Sequence, residues 1–218
     1  MNESKSGKRR YSSKRRSDAA EARRERILAS AKRLLIANGI DNVTMTAIAA
    51  EAGVADSTVY AAFGSKEGIL RALMEQSMFG GEFRQAQQLF ANVDDPVKLI
   101  VLTSRVARAI YESERKDLGL LRQISGFSPL LRQVEQQFED LRFQMQRERI
   151  ELLFEAGKSL RGLGLDEARR MMWTLTSRDI FRMLVIEGGW RPARYQQWLA
   201  EMLLHSLVDP IFYPESAS

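Results

Sequence analysis

Three glycines divide the early part of the chain into short helical stretches. Gly39, Gly53 and Gly64 each follow a segment of helical character, and no proline occurs before residue 96. Glycine commonly ends helices because it adopts the left-handed conformation at little steric cost. From residue 82 onward the apolar spacing stays helical, without the alternation of a half-buried strand. The pattern predicts an all-α fold: an N-terminal three-helix domain followed by a larger C-terminal helical bundle, with about nine helices in total.

The apolar spacing and the capping residues place the individual helices. The first helix has one apolar face, formed by Ile27, Leu28, Ala31, Leu34 and Leu35. Thr44 is suited to cap the second helix, the third covers residues 55–63, and Ser65 is suited to cap a fourth over 66–77. Later helices are expected over 96–114, 117–124, 129–157, 165–187 and 191–208.

The composition excludes several classes of functional site. The 218 residues include no cysteine, which excludes disulfides, cysteine-ligated metals and a cysteine nucleophile. His205 is the only histidine, so neither a two-histidine metal site nor a well-supported catalytic triad is expected. The pair Gly162 and Gly164 lacks the third glycine of a dinucleotide fingerprint, because Glu167 stands at that position. We expect no enzymatic activity, no cofactor and no metal.

The hydropathy gives no sign of a membrane segment. The longest aliphatic run near the C-terminus covers only residues 183–186, and no apolar stretch follows the basic N-terminus. We expect a cytoplasmic protein without membrane contact.

The positive charge is concentrated at the start of the chain. Residues 1–33 contain 12 basic and 4 acidic side chains, a net of +8, whereas the other residues contain 21 basic and 24 acidic ones, a net of −3. Residues 1–20 are poor in apolar groups and are expected to form a disordered basic arm. Such an arm is either a solubilising tail or a segment that contacts DNA phosphates. The arginines expected to make those contacts are Arg9, Arg10, Arg15 and Arg16.

Residues 44–63, TMTAIAAEAGVADSTVYAAF, have the spacing of a helix-turn-helix. Ala49 is small enough for two helices to cross closely, and Gly53 supplies the turn four residues later. Apolar residues on both sides of the turn can hold the second helix in place; they are Ile48, Ala52, Val54 and Val59. An ordinary helical hairpin has similar features. The basic segment and the amphipathic helix upstream favour DNA binding.

Residues 24–73 resemble the DNA-binding domain of TetR/AcrR family transcriptional regulators. The resemblance is carried by Ile27-Leu28-Ala29-Ser30-Ala31, Gly39, Val43-Thr44-Met45, Ile48-Ala49, Ala52-Gly53-Val54, Ser57-Thr58-Val59-Tyr60, Phe63 and Ser65-Lys66-Glu67. The stretch 175–204 is similar to the family's regulatory domains at fewer positions. Two positions depart from the common pattern: Ala61-Ala62 replace a bulky or imidazole residue, and Asp56 stands where Lys, Arg or Ser is more usual.

The resemblance implies a ligand-responsive, dimeric DNA-binding transcriptional regulator, a repressor released from a pseudo-palindromic operator by a small molecule. Its partners would be double-stranded DNA and a second copy of itself. Contacts with DNA are then expected from Thr44, Thr46, Asp56, Ser57, Thr58, Tyr60, Ala61 and Lys66. The alternative is an architectural protein that binds DNA without sequence preference and has no effector.

The resemblance also divides the chain. It implies a DNA-binding domain over residues 21–66, a connecting helix over 67–82, a ligand-binding and dimerisation domain over 83–210 and a tail over 211–218. The dimer interface is expected from Phe181, Leu184, Val185, Trp198, Met202 and Leu203. A small apolar or amphipathic effector is expected to contact Phe83, Arg105, Tyr111, Phe138, Met145 and Trp173, each of which is equally suited to plain core or surface.

Overall fold

The computed structural model describes residues 4–214, with side chains described throughout that range except at 4–14, 16, 117 and 123–125. Its α-helices are α1 (Ser4–Asn38), α2 (Met45–Ala52), α3 (Asp56–Phe63), α4 (Lys66–Met78), α5 (Gly81–Gln88), α6 (Pro96–Ser125), α7 (Pro129–Met145), α8 (Arg147–Glu155), α9 (Leu165–Leu175), α10 (Arg178–Phe181) and α11 (Pro192–Leu207). A π-helix (Arg182–Glu187) follows α10, and a 3₁₀ turn (Pro210–Phe212) follows α11. The only β-pairing within residues 4–214 is an isolated bridge between Ser159 and Val208, which confirms the all-α prediction.

The helix boundaries differ from the prediction in the C-terminal half. Helix α6 is continuous through both of the segments expected over 96–114 and 117–124, whereas the segment expected over 165–187 is divided into α9, α10 and the π-helix. The division follows Thr176, whose buried hydroxyl donates a 2.7 Å hydrogen bond to the Met172 carbonyl. Ser177 then caps α10 by accepting from the amide of Ile180. Side chains that bond to nearby backbone compete with a continuous helix.

The N-terminal basic segment is helical where the sequence predicts a disordered arm. Helix α1 begins at Ser4 and continues through residue 20 to Asn38. Residues 19–25, AAEARRE, are strong helix formers, and an existing helix extends with one new hydrogen bond per residue and no further nucleation cost. The structure therefore differs from the prediction over residues 4–20, and residues 1–3 lie outside the described range.

The chain forms two compact units whose boundaries differ from the predicted domains. The first unit contains the chain up to Met74 together with Leu120–Val134, and the second contains Glu75–Gly119 and the chain from Glu135. In the first unit, Ser128 donates a 2.8 Å hydrogen bond to the carboxylate of Asp41. Residues 120–134, assigned by sequence to the ligand-binding domain, therefore belong to the same unit as α2 and α3.

The core of the second unit is rich in aromatic rings. Tyr111, Phe181 and Tyr195 are buried, with centroid separations of 5.5 Å between Tyr111 and Phe181 and 5.0 Å between Phe181 and Tyr195. Burial raises the pKa of the Tyr195 phenol far above its ordinary value, because its hydroxyl is removed from water without a hydrogen-bond partner. No helix within the described residues combines the length and apolarity that crossing a bilayer requires.

Candidate DNA-binding surface and effector cavity

The turn between α2 and α3 is built by local backbone chemistry. Thr44 caps α2 by accepting a 3.1 Å hydrogen bond from the amide of Ala47. Gly53 ends α2 at φ 63° and ψ 43°, the left-handed conformation that residues with a Cβ adopt only with strain. The amide of Val54 then bonds to the carbonyl of Ala49 at 3.0 Å, so the chain turns within a few residues. These contacts fix the start of α3 relative to α2.

Two arginines of α1 hold the ends of the helix-turn-helix. The guanidinium of Arg24 donates to the carbonyl of Ala62 at 3.0 Å and lies 4.4 Å from the ring centroid of Phe63. Arg26 donates to the carbonyl of Ala52 at 3.2 Å. A cation near the last carbonyls of a helix is favoured by the helix dipole. Sequence analysis counted these arginines only as charge, because nothing local indicates carbonyl partners 38 and 26 residues away.

One face of α3 is exposed and the opposite face is buried. Val59 is fully buried, whereas Asp56, Ser57 and Ala61 are exposed and Tyr60 is half-exposed. Thr58 is half-buried, so less of it is accessible than the sequence prediction assumed. Helix α3 carries no Lys or Arg, and its one charged side chain is Asp56. The exposed groups of this helix are a carboxylate, hydroxyls and the methyl groups of Ala61 and Ala62.

The predicted contacts on α2 also have roles within the protein. Thr44 and Thr46 are both exposed. The hydroxyl of Thr44 accepts the capping bond but keeps its own proton to donate, whereas the hydroxyl of Thr46 donates to Asp56 at 2.7 Å. Of these two hydroxyls, Thr44 therefore has the proton available for a phosphate.

Lys66 has a structural role that the sequence did not predict. Its ammonium donates to the carbonyls of Ile40 at 2.7 Å and Val43 at 3.0 Å, with Asp41 O at 3.5 Å. Those carbonyls belong to the loop between α1 and α2. The donors of Lys66 are directed at three carbonyl groups of its own chain, and a contact between Lys66 and DNA stays a prediction.

The basic arginines near the N-terminus can be placed only in part. The side chains of Arg9, Arg10 and Arg16 lie outside the described residues, and Arg15 is exposed on α1. Their role in DNA contact stays a prediction.

A cavity lies within the second unit. The cavity is partly open to solvent. Its apolar wall includes Met78, Phe79, Phe83, Val106, Ile110 and Phe138. Of the residues predicted to contact an effector, Phe83, Tyr111, Phe138 and Met145 line this cavity.

Two of the predicted effector contacts lie elsewhere. Arg105 is exposed and Trp173 is half-buried, and neither side chain forms part of the cavity wall. Contact between these two residues and an effector stays a prediction. Helical spacing places a residue on a face of its helix, but it does not show which face borders the unfilled space.

Polar side chains line the same cavity and were missed by sequence analysis. Arg142 pairs with the carboxylate of Glu139 and donates to the Trp173 carbonyl and to Thr176 Oγ1, both at 2.7 Å. Gln146 is buried and donates through Nε2 to the same Oγ1 atom at 2.8 Å. Charged and amide residues on a mostly polar helix are typical of a face exposed to solvent. The sequence therefore gives no signal that Arg142 and Gln146 line a cavity.

Arg149 is a further cation in the cavity wall. Its guanidinium lies 4.5 Å from the ring centroid of Phe90, and no ion pair or hydrogen bond joins it to another described residue. Burial lowers the pKa of the Arg149 guanidinium, against a smaller opposing effect of the Glu148 carboxylate. Among the described residues, no cluster of three or more His, Asp or Glu side chains is arranged to hold a metal ion.

The predicted dimer residues divide into two sets. Phe181, Val185 and Leu203 are buried in the core of their own chain, so their side chains present little surface to a partner. A place for these three in a dimer interface stays a prediction. Leu184, Trp198 and Met202 are partly exposed, and Met183 and Ile186 nearby are 45% and 49% exposed.

The helix-turn-helix region matches a known family. Residues 27–73 match the family model described as bacterial regulatory proteins, tetR family. No curated protein sequence matches the chain.

Solved structures have the same fold. NalD of Pseudomonas aeruginosa, the secondary repressor of the MexAB-OprM multidrug efflux pump, is 23% identical with a TM-score of 0.67, covering 88% of this chain and 99% of its own. SmeT, solved as a complex with triclosan, is 20% identical with a TM-score of 0.62, covering 90% and 97%. The fatty acid degradation regulator FadR of Bacillus halodurans is 18% identical with a TM-score of 0.54, covering 83% and 94%. These structures show that the chain has their fold over nearly its whole length. Residues 27–73 are therefore similar to the tetR family of bacterial regulatory proteins, and the chain has the fold of these solved structures.

Proposed function

We propose that the protein is a dimeric, ligand-responsive repressor that binds a pseudo-palindromic operator in the cytoplasm and releases it when a small molecule occupies the cavity of the second unit. The observation that carries this proposal is the exposed face of α3, which the turn at Gly53 and the two α1 arginines hold in position. A helix presented in this way fits the major groove with its N-terminal residues at the base edges.

The exposed groups of α3 indicate how bases would be read. The carboxylate of Asp56 accepts hydrogen bonds, so it favours the amino groups of cytosine N4 or adenine N6 over guanine O6 and N7. The methyl group of Ala61 suits contact with the methyl group of thymine. Because α3 has no Arg or Lys, we expect half-sites that do not depend on a guanine read by an α3 arginine.

Affinity for DNA would come from basic residues outside α3. Helix α1 carries most of the excess positive charge of the chain. Contacts between cations and phosphates make affinity strongly dependent on salt but carry no sequence information. We therefore assign affinity mainly to α1 and specificity mainly to α3.

Effector control is supported by the cavity and by chain connectivity. The boundaries between the two units fall within α4, α6 and α7, so each of these helices contributes residues to both units. A ligand changes DNA affinity only if it binds one arrangement of the protein better than another. SmeT, which has the same fold, binds triclosan in its solved structure, and this similarity supports an effector here.

Selection of bound duplexes from a random pool tests the proposal. We expect an enriched inverted repeat, since a two-fold dimer presents two copies of α3. The variant Ser57→Ala changes an exposed residue of α3 and should reduce discrimination between half-sites. The matched control Ser12→Ala lies outside α3 and should leave the enriched sequence unchanged.

An unenriched pool would contradict sequence-specific repression. It would instead favour the architectural alternative, in which α1 supplies nearly all of the affinity. Deletion of residues 1–17 separates the two, because a specific repressor keeps its sequence preference at reduced affinity and an architectural protein loses binding.

A further inference from the structure

Arg149 lines a largely apolar cavity and has no carboxylate partner among the described residues. Its guanidinium stacks on Phe90, and no ion pair is formed with any residue in the described part of the chain. Glu148, its neighbour on the helix, is exposed and is not part of the cavity wall. Partly buried arginines normally pair with an anion, because an unpaired charge removed from water is costly.

The other arginine of the cavity wall, Arg142, has a carboxylate partner. Arg142 forms an ion pair with Glu139, and its Nη1 atom donates to the Trp173 carbonyl and to Thr176 Oγ1. The wall contains no Asp or Glu. Arg149 therefore gives the cavity a net positive charge at one position.

A second polar group is fixed by the hydrogen bonds around Thr176. The Thr176 hydroxyl uses its one proton on the Met172 carbonyl, so its oxygen can only accept from Gln146. This assigns the amide nitrogen of Gln146 to Thr176 and leaves Oε1 as an acceptor. Only 6% of the surface of Gln146 is exposed, and its Oε1 atom has no hydrogen-bond partner. A buried acceptor without a donor indicates a missing partner.

Aromatic rings surround the rest of the cavity. Phe79 lies 4.9 Å from Phe83 and 6.1 Å from Phe138, measured between ring centroids. All three rings line the cavity and suit a flat or aliphatic body.

We propose that the effector is an acidic amphipathic molecule: its anionic group pairs with Arg149, a hydroxyl or N–H group donates to Gln146 Oε1, and its apolar body packs among Phe79, Phe83 and Phe138. The proposal rests on the proposed function only in taking this cavity as the effector site. It specifies a charge and a donor, whereas the shape of the cavity alone would accept a neutral apolar compound equally well.

Two probes with the same apolar body test this assignment on the full-length protein. 8-Anilinonaphthalene-1-sulfonate has a bridging N–H group and a sulfonate, and N-phenyl-1-naphthylamine has the same rings and N–H group without the charge. Fluorescence titration gives the affinity of each probe for the wild type and for Arg149→Met, Gln146→Leu and Arg147→Gln. Arg147 is the matched control, because it is exposed, pairs with Glu151 and lies outside the cavity wall.

We expect Arg149→Met to weaken binding of the charged probe but not of the neutral probe. Arg149→Met should weaken sulfonate binding by about tenfold or more, the size of one charge-assisted hydrogen bond, and change binding of the neutral probe by less than about twofold. Gln146→Leu should weaken both probes by about fivefold, since both donate an N–H group. Arg147→Gln should change neither. Unchanged binding of the neutral probe to Arg149→Met also shows that the cavity is intact.

Other outcomes overturn the proposal. An equal loss of both probes in Arg149→Met would show that Arg149 only supports the fold, and no loss of either would show that it does not face the ligand. Operator affinity measured in the same samples separates this proposal from the proposed function. If binding of the sulfonate probe depends on Arg149 but the probe does not change operator affinity, the cavity is a site for acidic ligands and the proposal of effector control fails. If both probes release the operator equally from wild type and Arg149→Met, effector control stands and the acidic assignment fails.

Discussion

The hydroxyl of Thr46 donates a 2.7 Å hydrogen bond to Oδ2 of Asp56, joining the first turn of α2 to the first turn of α3. The carboxylate lies at the N-terminal end of α3, where the helix dipole favours a negative charge. The bond satisfies one carboxylate oxygen, and no other described group bonds to Asp56. Asp56, which departs from the pattern of the TetR/AcrR family that residues 24–73 resemble, is therefore oriented by a hydrogen bond within the protein.

This relationship predicts that Asp56→Ala raises affinity for unrelated duplexes while it reduces sequence preference. Removing the carboxylate removes repulsion of nearby phosphates and also removes the acceptor for a base amino group. We expect the ratio of specific to non-specific affinity to fall by about tenfold, close to the value of one base contact. Anisotropy titrations with the selected operator and a scrambled duplex measure this ratio.

Thr46→Val is the matched variant for that prediction. It keeps the carboxylate but removes the hydrogen bond that orients it, so its effect should be smaller than that of Asp56→Ala. An unchanged ratio in Asp56→Ala would contradict a role for this residue in reading the operator.

Lys66 is predicted to stabilise the first unit rather than to bind phosphate. Lys66→Met removes the cation that holds the carbonyls of Ile40 and Val43, at a cost of about 2 kcal/mol, or about 4–8 °C in melting temperature. Thermal unfolding followed by circular dichroism measures this loss. Lys116→Met, at an exposed lysine of α6, is the control and should change the melting temperature little.

The salt dependence of DNA affinity tests whether Lys66 contacts a phosphate. A lysine that contacts a phosphate contributes about one to the slope of log affinity against log salt concentration. We expect the folded Lys66→Met variant to keep the wild-type slope, and a slope reduced by one would restore the role predicted from sequence.

Gly53→Ala is predicted to destabilise the helix-turn-helix through backbone strain alone. A Cβ at this position meets no atom within 4 Å, but its φ of 63° is the left-handed region. The expected cost is about 1–2 kcal/mol, measured by urea denaturation. Gly81→Ala, in the first turn of α5, is the control. A Cβ at Gly81 also meets no atom within 4 Å, but the φ of Gly81 lies outside the left-handed region. If both variants lose the same stability, the left-handed turn is not the cause.

Ile186→Glu is predicted to weaken dimerisation without affecting the fold of the single chain. Ile186 is 49% exposed on the π-helix beside the partly exposed Leu184, so a partner chain can cover it. We expect the dissociation constant of the dimer to rise at least about tenfold, because the charge would be buried on association. Sedimentation equilibrium measures it.

Ile211→Glu supplies the control for the dimer experiment. Ile211 is 69% exposed in the 3₁₀ turn after α11, away from the π-helix in sequence, and its substitution should leave association unchanged. Equal association by wild type and Ile186→Glu would place the interface elsewhere.

The sequence by itself determined the local features of the protein. Apolar periodicity, the glycines and the capping threonine placed α2, α3 and the turn between them, because each depends on chemistry within a few neighbouring residues. The same window carried the family resemblance. The sequence pattern also indicated the all-α class, since no segment alternated like a strand.

Only the tertiary structure decided which side chains meet across the chain. Lys66 faces carbonyls 26 and 23 residues away, and Phe181 points into the core instead of out of it. The tertiary structure also showed that Arg149 has no ion-pair partner among the described residues and that Gln146 Oε1 accepts no hydrogen bond. Periodicity gives the face of a helix on which a residue lies, but the partner opposite that face is set by the packing of helices distant in sequence.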